Sequence, residues 1–236
     1  MTKSDWDVSA EAWIRHLGSD GDRGRKHVLD PAINRWLDQN AFSRALDVGC
    51  GEGRFCRMLQ ERKIATVGID PTERLIEQAR ALNPDGRYEL GTAENLPFKD
   101  ESFDLVVTYL SLIDIADFRT AISEMVRVLQ PGGALLAANL ASHNSAGDGR
   151  GWKRDGFGRY KYFKFDNYLE ERANKVSFAG VHIENWHRPL SAYMQTYLKA
   201  GLQLEHFDEP PAISGQDIER YNRAPWFNLM VWRKPF

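Results

Sequence analysis

The sequence predicts an α/β protein whose mostly parallel sheet carries helices on both faces. Short apolar runs alternate with amphipathic stretches from about residue 41 to residue 139, and Gly, Pro, Asp or Asn bounds each run. Strand and helix in regular alternation give parallel strands, because each connecting helix covers one face of the sheet. The 236 residues suffice for one substantial core, so we expect a single domain, 1–236.

Five apolar runs are the predicted strands of this core: RALDVG, ATVGID, YELG, FDLVVTYL and GALLAANL. Two clear helical patterns lie between them. FRTAISEMVRVL places its apolar residues on one stripe, and the turn residues 130–133 separate it from the fifth strand. PTERLIEQARAL follows the second strand and predicts a helix with Pro71 in its first turn.

Three segments complete the predicted organisation around the core, 41–139. Residues 1–40 form a cap of one or two amphipathic helices, and residues 140–189 are an insertion after the fifth strand. The closing part, 190–236, begins with a helix in PLSAYMQTYLKAG that stops at Gly201. LQLEHF and FNLMVWRK then predict two further strands.

Composition limits the function classes. The net charge is −2, so no whole-protein positive field draws the chain to nucleic acid or to an anionic membrane. The two cysteines, without zinc-like spacing, predict thiols in a reducing compartment and no metal site. The first residues show no signal pattern, and no run reaches the ~18 apolar residues of a membrane span. We therefore expect a cytoplasmic protein.

A glycine loop, GCGEG, follows the first predicted strand. Ligands of open parallel sheets bind beyond the carboxyl ends of the strands, where glycine lets the backbone approach closely. The dinucleotide fingerprint G-x-G-x-x-G needs glycine where Arg54 stands, and no phosphate-loop Gly-Lys-Ser/Thr follows. Asp70 ends the second strand, where its carboxylate can accept hydrogen bonds from both hydroxyls of a ribose, or cap the next helix.

Five successive segments, LDVGCGEGRF, GID, GTAENLPF, FDLVVTYLSL and RVLQPGG, resemble the motifs of class I S-adenosylmethionine (SAM)-dependent methyltransferases. The similarity is greatest to the small-molecule branch that includes ubiquinone- and menaquinone-biosynthesis-type enzymes. It is specific over residues 41–140 and looser towards the last two strands. It implies a Rossmann-like, seven-stranded sheet whose last strand inserts antiparallel. It also implies SAM as the cofactor and S-adenosylhomocysteine as the product.

The resemblance implies a cofactor site at defined positions of this chain. The methionyl end would be held by Asp47, Gly49, Cys50 and Gly51, and the ribose by Asp70 beside Pro71. Thr92, Ala93 and Glu94 would border the adenine, and Tyr109 and Leu110 would close the pocket beside the reactive methyl. The family often has Asp at the place of Thr92, so adenine recognition would rest on Glu94 or on backbone carbonyls.

Arg25 is a further candidate for the cofactor site. A guanidinium matches a carboxylate as a fork, so this side chain can clamp the methionyl carboxylate. A position on a solvated helix face is the alternative.

Methyl transfer is an in-line displacement, so the protein must align the acceptor and leave the nucleophile without its proton. The candidate bases are His143 past the fifth strand, His187 in NWHRPL and Asp114 in SLIDI past the fourth strand. A structural role is the alternative for each histidine, and a capping role for Asp114. Positioning without any base is a further alternative.

The predicted acceptor contacts are aromatic: Trp6 and Trp13 of the cap, Tyr160 and Trp186 of the insertion, and Tyr193 of the closing helix. The insertion also interleaves aromatic residues with the cations Arg150, Lys153, Arg154, Arg159, Lys161 and Lys164. This pattern is typical of a lid over a planar or anionic small molecule, of a nucleic-acid contact, or of a surface loop with solvated cations. The near-neutral chain favours the lid.

We therefore predict a SAM-dependent methyltransferase, monomeric or homodimeric, that acts on an oxygen or nitrogen nucleophile of a small aromatic or heteroaromatic metabolite. One alternative is an RNA or protein methyltransferase. However, TYLSL occupies the place of the Asn/Asp-Pro-Pro-aromatic signature of many amino-methylating nucleic-acid enzymes. The other alternative is a SAM-binding protein without turnover.

Overall fold

The computed structural model describes residues 4–18, 21–147 and 151–236. Helices α1 to α8 span Asp5–Leu17, Asp30–Leu37, Arg54–Glu61, Glu73–Leu82, Phe118–Val128, Ser142–Ala146, Leu190–Lys199 and Ile218–Arg223. A π-helical turn, Arg25–Leu29, precedes α2. Strands β1 to β11 span Arg44–Val48, Ala65–Asp70, Arg87–Leu90, Phe103–Tyr109, Leu129–Leu140, Trp152–Arg154, Tyr160–Phe163, Arg172–Phe178, Val181–His187, Gln203–Asp208 and Phe227–Arg233. Among these helices, none is long and apolar enough to cross a membrane.

Seven strands form one sheet in the order β3–β2–β1–β4–β5–β11–β10. The first five strands pair in parallel, whereas β11 lies antiparallel to both β5 and β10. Strand order reverses between β1 and β4, so their carboxyl ends open a crevice for a ligand. The predicted α/β fold, with its antiparallel last strand, is confirmed.

Both faces of the sheet are covered by apolar layers, as the near-continuous apolar strands require. On one face, α5 and α7 bury Phe118, Met125 and Tyr197 against the sheet. On the other face, α2 and α3 bury Ile33 and Leu59. These layers fix the strand ends that carry the site.

The segment before the fifth strand differs from its prediction. Residues 130–133 do not form a turn outside the sheet but belong to β5, which follows α5 directly. Phe103 pairs with Leu129 and Leu105 with Ala134, so β5 bulges between these two pairs. The chain end stabilises the bulge, because Gly132 donates its N–H to the Lys234 carbonyl at 2.8 Å and has φ of +75°.

The start of α4 also differs, since the helix begins at Glu73 and not at Pro71. The Asp70 carboxylate accepts the backbone N–H of Thr72 at 2.9 Å. This contact holds residues 70–72 in a non-helical path, and Pro71 therefore lies before the first helical turn.

The cap and the insertion meet on one side of the sheet. Helix α1 packs against the β8–β9 hairpin, burying Ala10 and Trp13 with Val181 and Ile183. The Ser9 hydroxyl donates to the His182 carbonyl at 2.8 Å and accepts the His182 N–H at 3.0 Å. These two elements, α1 and the β8–β9 hairpin, form what we call the roof.

The β6–β7 hairpin lies apart from the roof. Its aromatic rings pack on one another, with Trp152 5.1 Å from Tyr160 and 5.4 Å from Phe163 between ring centroids. The cations of this hairpin, Lys153, Arg154, Arg159 and Lys161, are exposed, and Lys164 just beyond it is exposed as well. Arg150 of the predicted cationic pattern falls outside the described residues.

Candidate active site

A cavity of about 370 Å³ lies at the carboxyl ends of β1, β2 and β4. The roof residues Trp6 and Trp13 cover it from above, and Arg25 enters from the π-helical turn. This volume lies near the lower end of the range for sites that enclose a small organic ligand. The position is the one that the reversal of strand order predicts.

The glycine loop forms the floor of the cavity. Gly49 and Gly51 have φ of +75° and +55°, which residues other than glycine rarely adopt. A Cβ at Gly49 would lie 2.3 Å from the Ser111 Cβ, so this glycine is needed for packing. A Cβ at Gly51 would meet nothing closer than the Trp13 indole nitrogen at 4.0 Å, so it would enter the cavity. Gly51 thus keeps space open for a ligand.

Asp47 presents an unsatisfied oxygen in this cavity. Its side chain is buried, its Oδ2 accepts the Cys56 thiol at 3.4 Å, and its Oδ1 has no hydrogen-bond partner. Burial raises the pKa of this carboxyl to about 7, against the opposing hydrogen bond from Cys56, and the charge of Asp70 adds to the rise. An unpaired buried acceptor is costly unless a donor arrives. The methionyl ammonium group of SAM is a fitting donor.

Asp70 joins the two loops that border the cavity. One carboxylate oxygen accepts the Gly51 N–H at 2.9 Å and the other accepts the Thr72 N–H at 2.9 Å. Each oxygen keeps a second lone pair, so the carboxylate can still accept both hydroxyls of a ribose. Burial raises the pKa of Asp70, and these two backbone hydrogen bonds oppose the rise.

All twelve sequence-predicted cofactor residues line this one cavity: Arg25, Asp47, Gly49, Cys50, Gly51, Asp70, Pro71, Thr92, Ala93, Glu94, Tyr109 and Leu110. Arg25 is not on a solvated face. Its guanidinium pairs with Asp22 and lies 5.1 Å from the Trp13 ring centroid and 5.4 Å from that of Tyr109. It is therefore held between two aromatic rings at the cavity.

Arg54 has a role that the glycine spacing alone does not indicate. Its guanidinium bonds both carboxylate oxygens of Asp30 at the start of α2. The Tyr109 hydroxyl donates to the same carboxylate at 2.8 Å. The residue that replaces the third glycine of a dinucleotide loop thus connects the cofactor loop to the cap.

Asp114 is the candidate base that lies in the cavity. It follows β4 in the segment 111–116 and is partly buried. Burial raises the pKa of its carboxyl to about 8, although hydrogen bonds from Asn185 and Trp6 and the charge of Arg25 oppose the rise. Such a carboxyl changes charge near neutral pH, as a general base requires.

The two candidate histidines lie outside the cavity lining. The Nδ1 of His187 is 2.8 Å from the Ser145 hydroxyl, and its Nε2 is 2.9 Å from the Tyr168 carbonyl. Both ring nitrogens of His187 are therefore engaged in holding the insertion together. His143 packs edge-on against Phe163 at 5.6 Å, and burial lowers its pKa.

Of the aromatic residues predicted to contact the acceptor, two line the cavity and three do not. Trp6 and Trp13 line the cavity and meet edge-to-face at 5.5 Å. Tyr193 is buried in the core against Phe118, and Tyr160 packs on Trp152. Trp186 stacks with Arg188 at 5.1 Å. These three aromatic residues do not line the cavity, because the sheet core and the insertion's own packing hold them.

The cavity also contains groups that the sequence patterns do not indicate. Glu52 of the glycine loop is buried in its lining and pairs with Arg57 at 2.7 Å. Asn185 reaches Asp114 from β9, although 71 residues separate them. No spacing rule connects such distant positions. Among the described residues, no three His, Cys, Asp or Glu side chains are arranged to hold a metal ion.

Comparison with known proteins agrees with this geometry. Residues 46–137 match the family model described as a methyltransferase domain. An uncharacterised methyltransferase of Mycobacterium tuberculosis is 36% identical over 134 residues, which are 57% of this chain and 53% of that protein. A malonyl-[acyl-carrier protein] O-methyltransferase of Salmonella typhimurium is 34% identical over 116 residues, which are 49% of this chain and 46% of that protein. The chain thus spans about half the length of these curated relatives.

A solved structure extends the likeness beyond the matched segment. The crystal structure of a SAM-dependent methyltransferase from Mesorhizobium loti is 27% identical, covering 92% of this chain and all of that one, with a TM-score of 0.79. Fold, cavity residues and family match agree on S-adenosylmethionine as the cofactor. Residues 46–137 therefore form a methyltransferase domain, and the fold around them is similar to that of a SAM-dependent methyltransferase of known structure.

Proposed function

We propose that this protein transfers a methyl group from SAM to an oxygen or nitrogen nucleophile of a small aromatic or heteroaromatic metabolite. The proposal includes a cytoplasmic location and a monomer or homodimer as the working unit. The observation that carries it is the placement of Asp114 in the cavity, beneath the aromatic roof and beside the cofactor residues.

SAM supplies a methyl group on a positively charged sulfur. In the proposed arrangement the chain's own residues hold each end of the cofactor. Asp47 and Arg25 bind the amino and carboxylate groups of the methionyl end, and Asp70 binds the ribose. Gly51 leaves the room for this contact because it has no side chain. Fixed orientation of this kind lowers the activation free energy of a displacement reaction by several kcal/mol.

Asp114 receives the proton of the acceptor in the proposed reaction. A phenolic or heterocyclic acceptor becomes a better nucleophile when a carboxylate removes its proton as the new bond forms. The pKa of about 8 makes Asp114 basic enough for this transfer and leaves part of it ionised at neutral pH. A general base typically increases the rate about 10²–10⁴-fold.

The roof gives the acceptor an aromatic, water-poor environment. Trp6 and Trp13 line the cavity and meet each other edge-to-face, so they offer aromatic surface to a planar ring. Aromatic faces also stabilise a sulfonium as they do other cations, by about 0.5–2 kcal/mol each. An oxygen acceptor agrees with the names of two relatives, the Salmonella typhimurium enzyme and an O-methyltransferase of Aspergillus sclerotiorum.

Binding of the cofactor is tested by calorimetry with SAM and with S-adenosylhomocysteine. Asp70→Ala is expected to weaken binding at least tenfold, because it removes the acceptor of two ribose hydroxyls and of two backbone N–H groups. Asp38→Ala is the matched control, since Asp38 is an exposed aspartate paired with Arg62. Absence of binding in the wild-type protein would refute the cofactor assignment.

The acceptor class is tested by measuring release of S-adenosylhomocysteine with phenols, catechols, N-heterocycles, dicarboxylic acids and tRNA. We expect turnover with at least one phenol or N-heterocycle and its loss in Asp114→Asn. Turnover with tRNA alone would establish the RNA methyltransferase alternative. Turnover restricted to carboxylic acids, which need no base, would refute the role of Asp114. Tight cofactor binding without turnover on any acceptor would favour a SAM-binding protein.

A further inference from the structure

A buried arginine, Arg188, holds the segment that carries Asp114. Arg188 donates N–H groups to the carbonyls of Leu112 at 3.0 Å, Ile115 at 2.6 Å and Ala116 at 3.0 Å. Its side chain is only 1% exposed and packs over the Phe118 ring at 4.3 Å. A planar guanidinium that bonds three carbonyls of one short segment fixes the path of that segment.

A second contact comes from the strand that leads to Arg188. The Asn185 side-chain amide donates to the Asp114 carboxyl, and the Trp186 N–H donates to the Ile113 carbonyl at 2.6 Å. Asn185 is itself buried. One stretch of four residues, 185–188, therefore controls both the backbone around Asp114 and the orientation of its carboxyl.

We propose that Asn185 and Arg188 are positioning residues for methyl transfer, with Asn185 orienting the Asp114 carboxyl and Arg188 fixing the segment that carries it. This inference rests on the proposed function of Asp114 as the group that receives the acceptor's proton. Neither residue lines the cavity, so neither is placed to touch the cofactor or the acceptor.

The charge environment of Asp114 makes the role of Asn185 measurable. The other groups that face the carboxyl are Arg25 from the π-helical turn, Asp70 from the end of β2 and the Trp6 indole from α1. Arg25 favours the ionised carboxyl and Asp70 disfavours it. The Asn185 amide stabilises the ionised form, so its removal must raise the pKa of Asp114.

The test is a ¹³C NMR titration of the aspartate carboxyl carbons from pH 5 to pH 10 in the full chain, with Asp114→Asn identifying the Asp114 signal. In Asn185→Leu, we expect the Asp114 titration to move upward by about one pH unit, the size of a hydrogen bond to an ionised group. Glu184 is an exposed neighbour on the same strand, so Glu184→Gln is the matched control, and its Asp114 carboxyl should titrate as in the wild type.

Arg188→Lys separates position from charge. Lysine keeps the positive charge but lacks the planar fork that reaches three carbonyls. We expect the Asp114 titration to stay within a few tenths of a pH unit of wild type, with turnover at least tenfold lower and affinity for S-adenosylhomocysteine unchanged. If Arg188→Lys fails to bind S-adenosylhomocysteine because it does not fold, the Asn185→Leu titration decides the proposal alone.

The outcomes distinguish this inference from the proposed function. An unshifted Asp114 titration in Asn185→Leu overturns the inference, even where Asp114→Asn is inactive. Wild-type turnover and pH profile in Asp114→Asn overturn the proposed function instead. An upward shift in Asn185→Leu, matched by the rising limb of turnover against pH, supports both.

Discussion

Cofactor binding is expected to depend on pH through Asp47. Its buried carboxyl has a pKa of about 7, and its Oδ1 accepts no hydrogen bond from the protein. The protonated carboxyl is neutral, so it attracts the methionyl ammonium group much less than the carboxylate does. Binding therefore requires the ionised form, which is lost as pH falls through 7.

The size of the effect follows from this pKa. Affinity should scale with the ionised fraction of Asp47, which is roughly one half at pH 7 and about one eleventh at pH 6. Below pH 6 the loss approaches tenfold for each pH unit, which equals about 1.4 kcal/mol. Binding at pH 7 should release about half a proton per cofactor, because the ammonium group holds Asp47 in its charged form.

Calorimetry with S-adenosylhomocysteine between pH 5.5 and pH 7.5 measures both quantities. Two buffers with different ionisation enthalpies at each pH give the number of protons released. Asp47→Asn should bind weakly with a much flatter pH profile, whereas Asp38→Asn, on the surface, should behave as wild type. A wild-type affinity that does not change across this range, or a steep profile that persists in Asp47→Asn, would refute the reasoning.

Three further substitutions test the site through stability and, for Gly51, through ligand affinity. Asp114→Asn should raise the free energy of unfolding more at pH 8 than at pH 5, by up to about 4 kcal/mol, which is three pH units at about 1.4 kcal/mol each. Between the unfolded pKa of about 4 and the folded pKa of about 8, the Asp114 carboxyl ionises only in the unfolded chain, so its burial costs stability over this range and no further above it. Urea unfolding at both pH values measures this difference, and equal effects at both would contradict it. Gly49→Ala should unfold the protein at much lower urea than Gly51→Ala, since its Cβ would lie 2.3 Å from the Ser111 Cβ. Gly51→Ala should fold, with a backbone cost of about 1–2 kcal/mol, yet lose affinity for S-adenosylhomocysteine; an unchanged affinity would show that its Cβ is tolerated.

The lining of the cavity at the strand ends could be predicted because its determinants are local in sequence. Each strand end is followed at once by the residues that line the cavity, such as Gly49 after β1 and Asp70 at the end of β2. Glycine spacing and the placement of acids at strand ends therefore carry the information. Arg25 could be predicted by chemistry alone, but its position between the Trp13 and Tyr109 rings could not.

The surroundings of Asp114 depend on contacts between distant segments. Asn185 and Arg188 act on Asp114 only because β9 folds back onto the end of β4. Histidine is a reasonable candidate base because the ordinary pKa of an imidazole lies near neutral pH. In His187, however, both ring nitrogens form hydrogen bonds with other parts of the insertion. Even the bulge in β5 needs the chain end at Lys234, about a hundred residues away, to be recognised.

The link between Arg54, Asp30 and Tyr109 has a consequence for how the protein opens. The buried Asp30 carboxylate of the cap accepts hydrogen bonds from Arg54 beside the glycine loop and from Tyr109 of β4, so displacing Asp30 leaves both donors without this partner. We expect the cap and the loop to exchange their amide hydrogens as one cooperative unit rather than fraying separately. A ligand that tightens the glycine loop would then slow exchange throughout α2, so an empty and a loaded protein would differ in local unfolding far from the ligand itself.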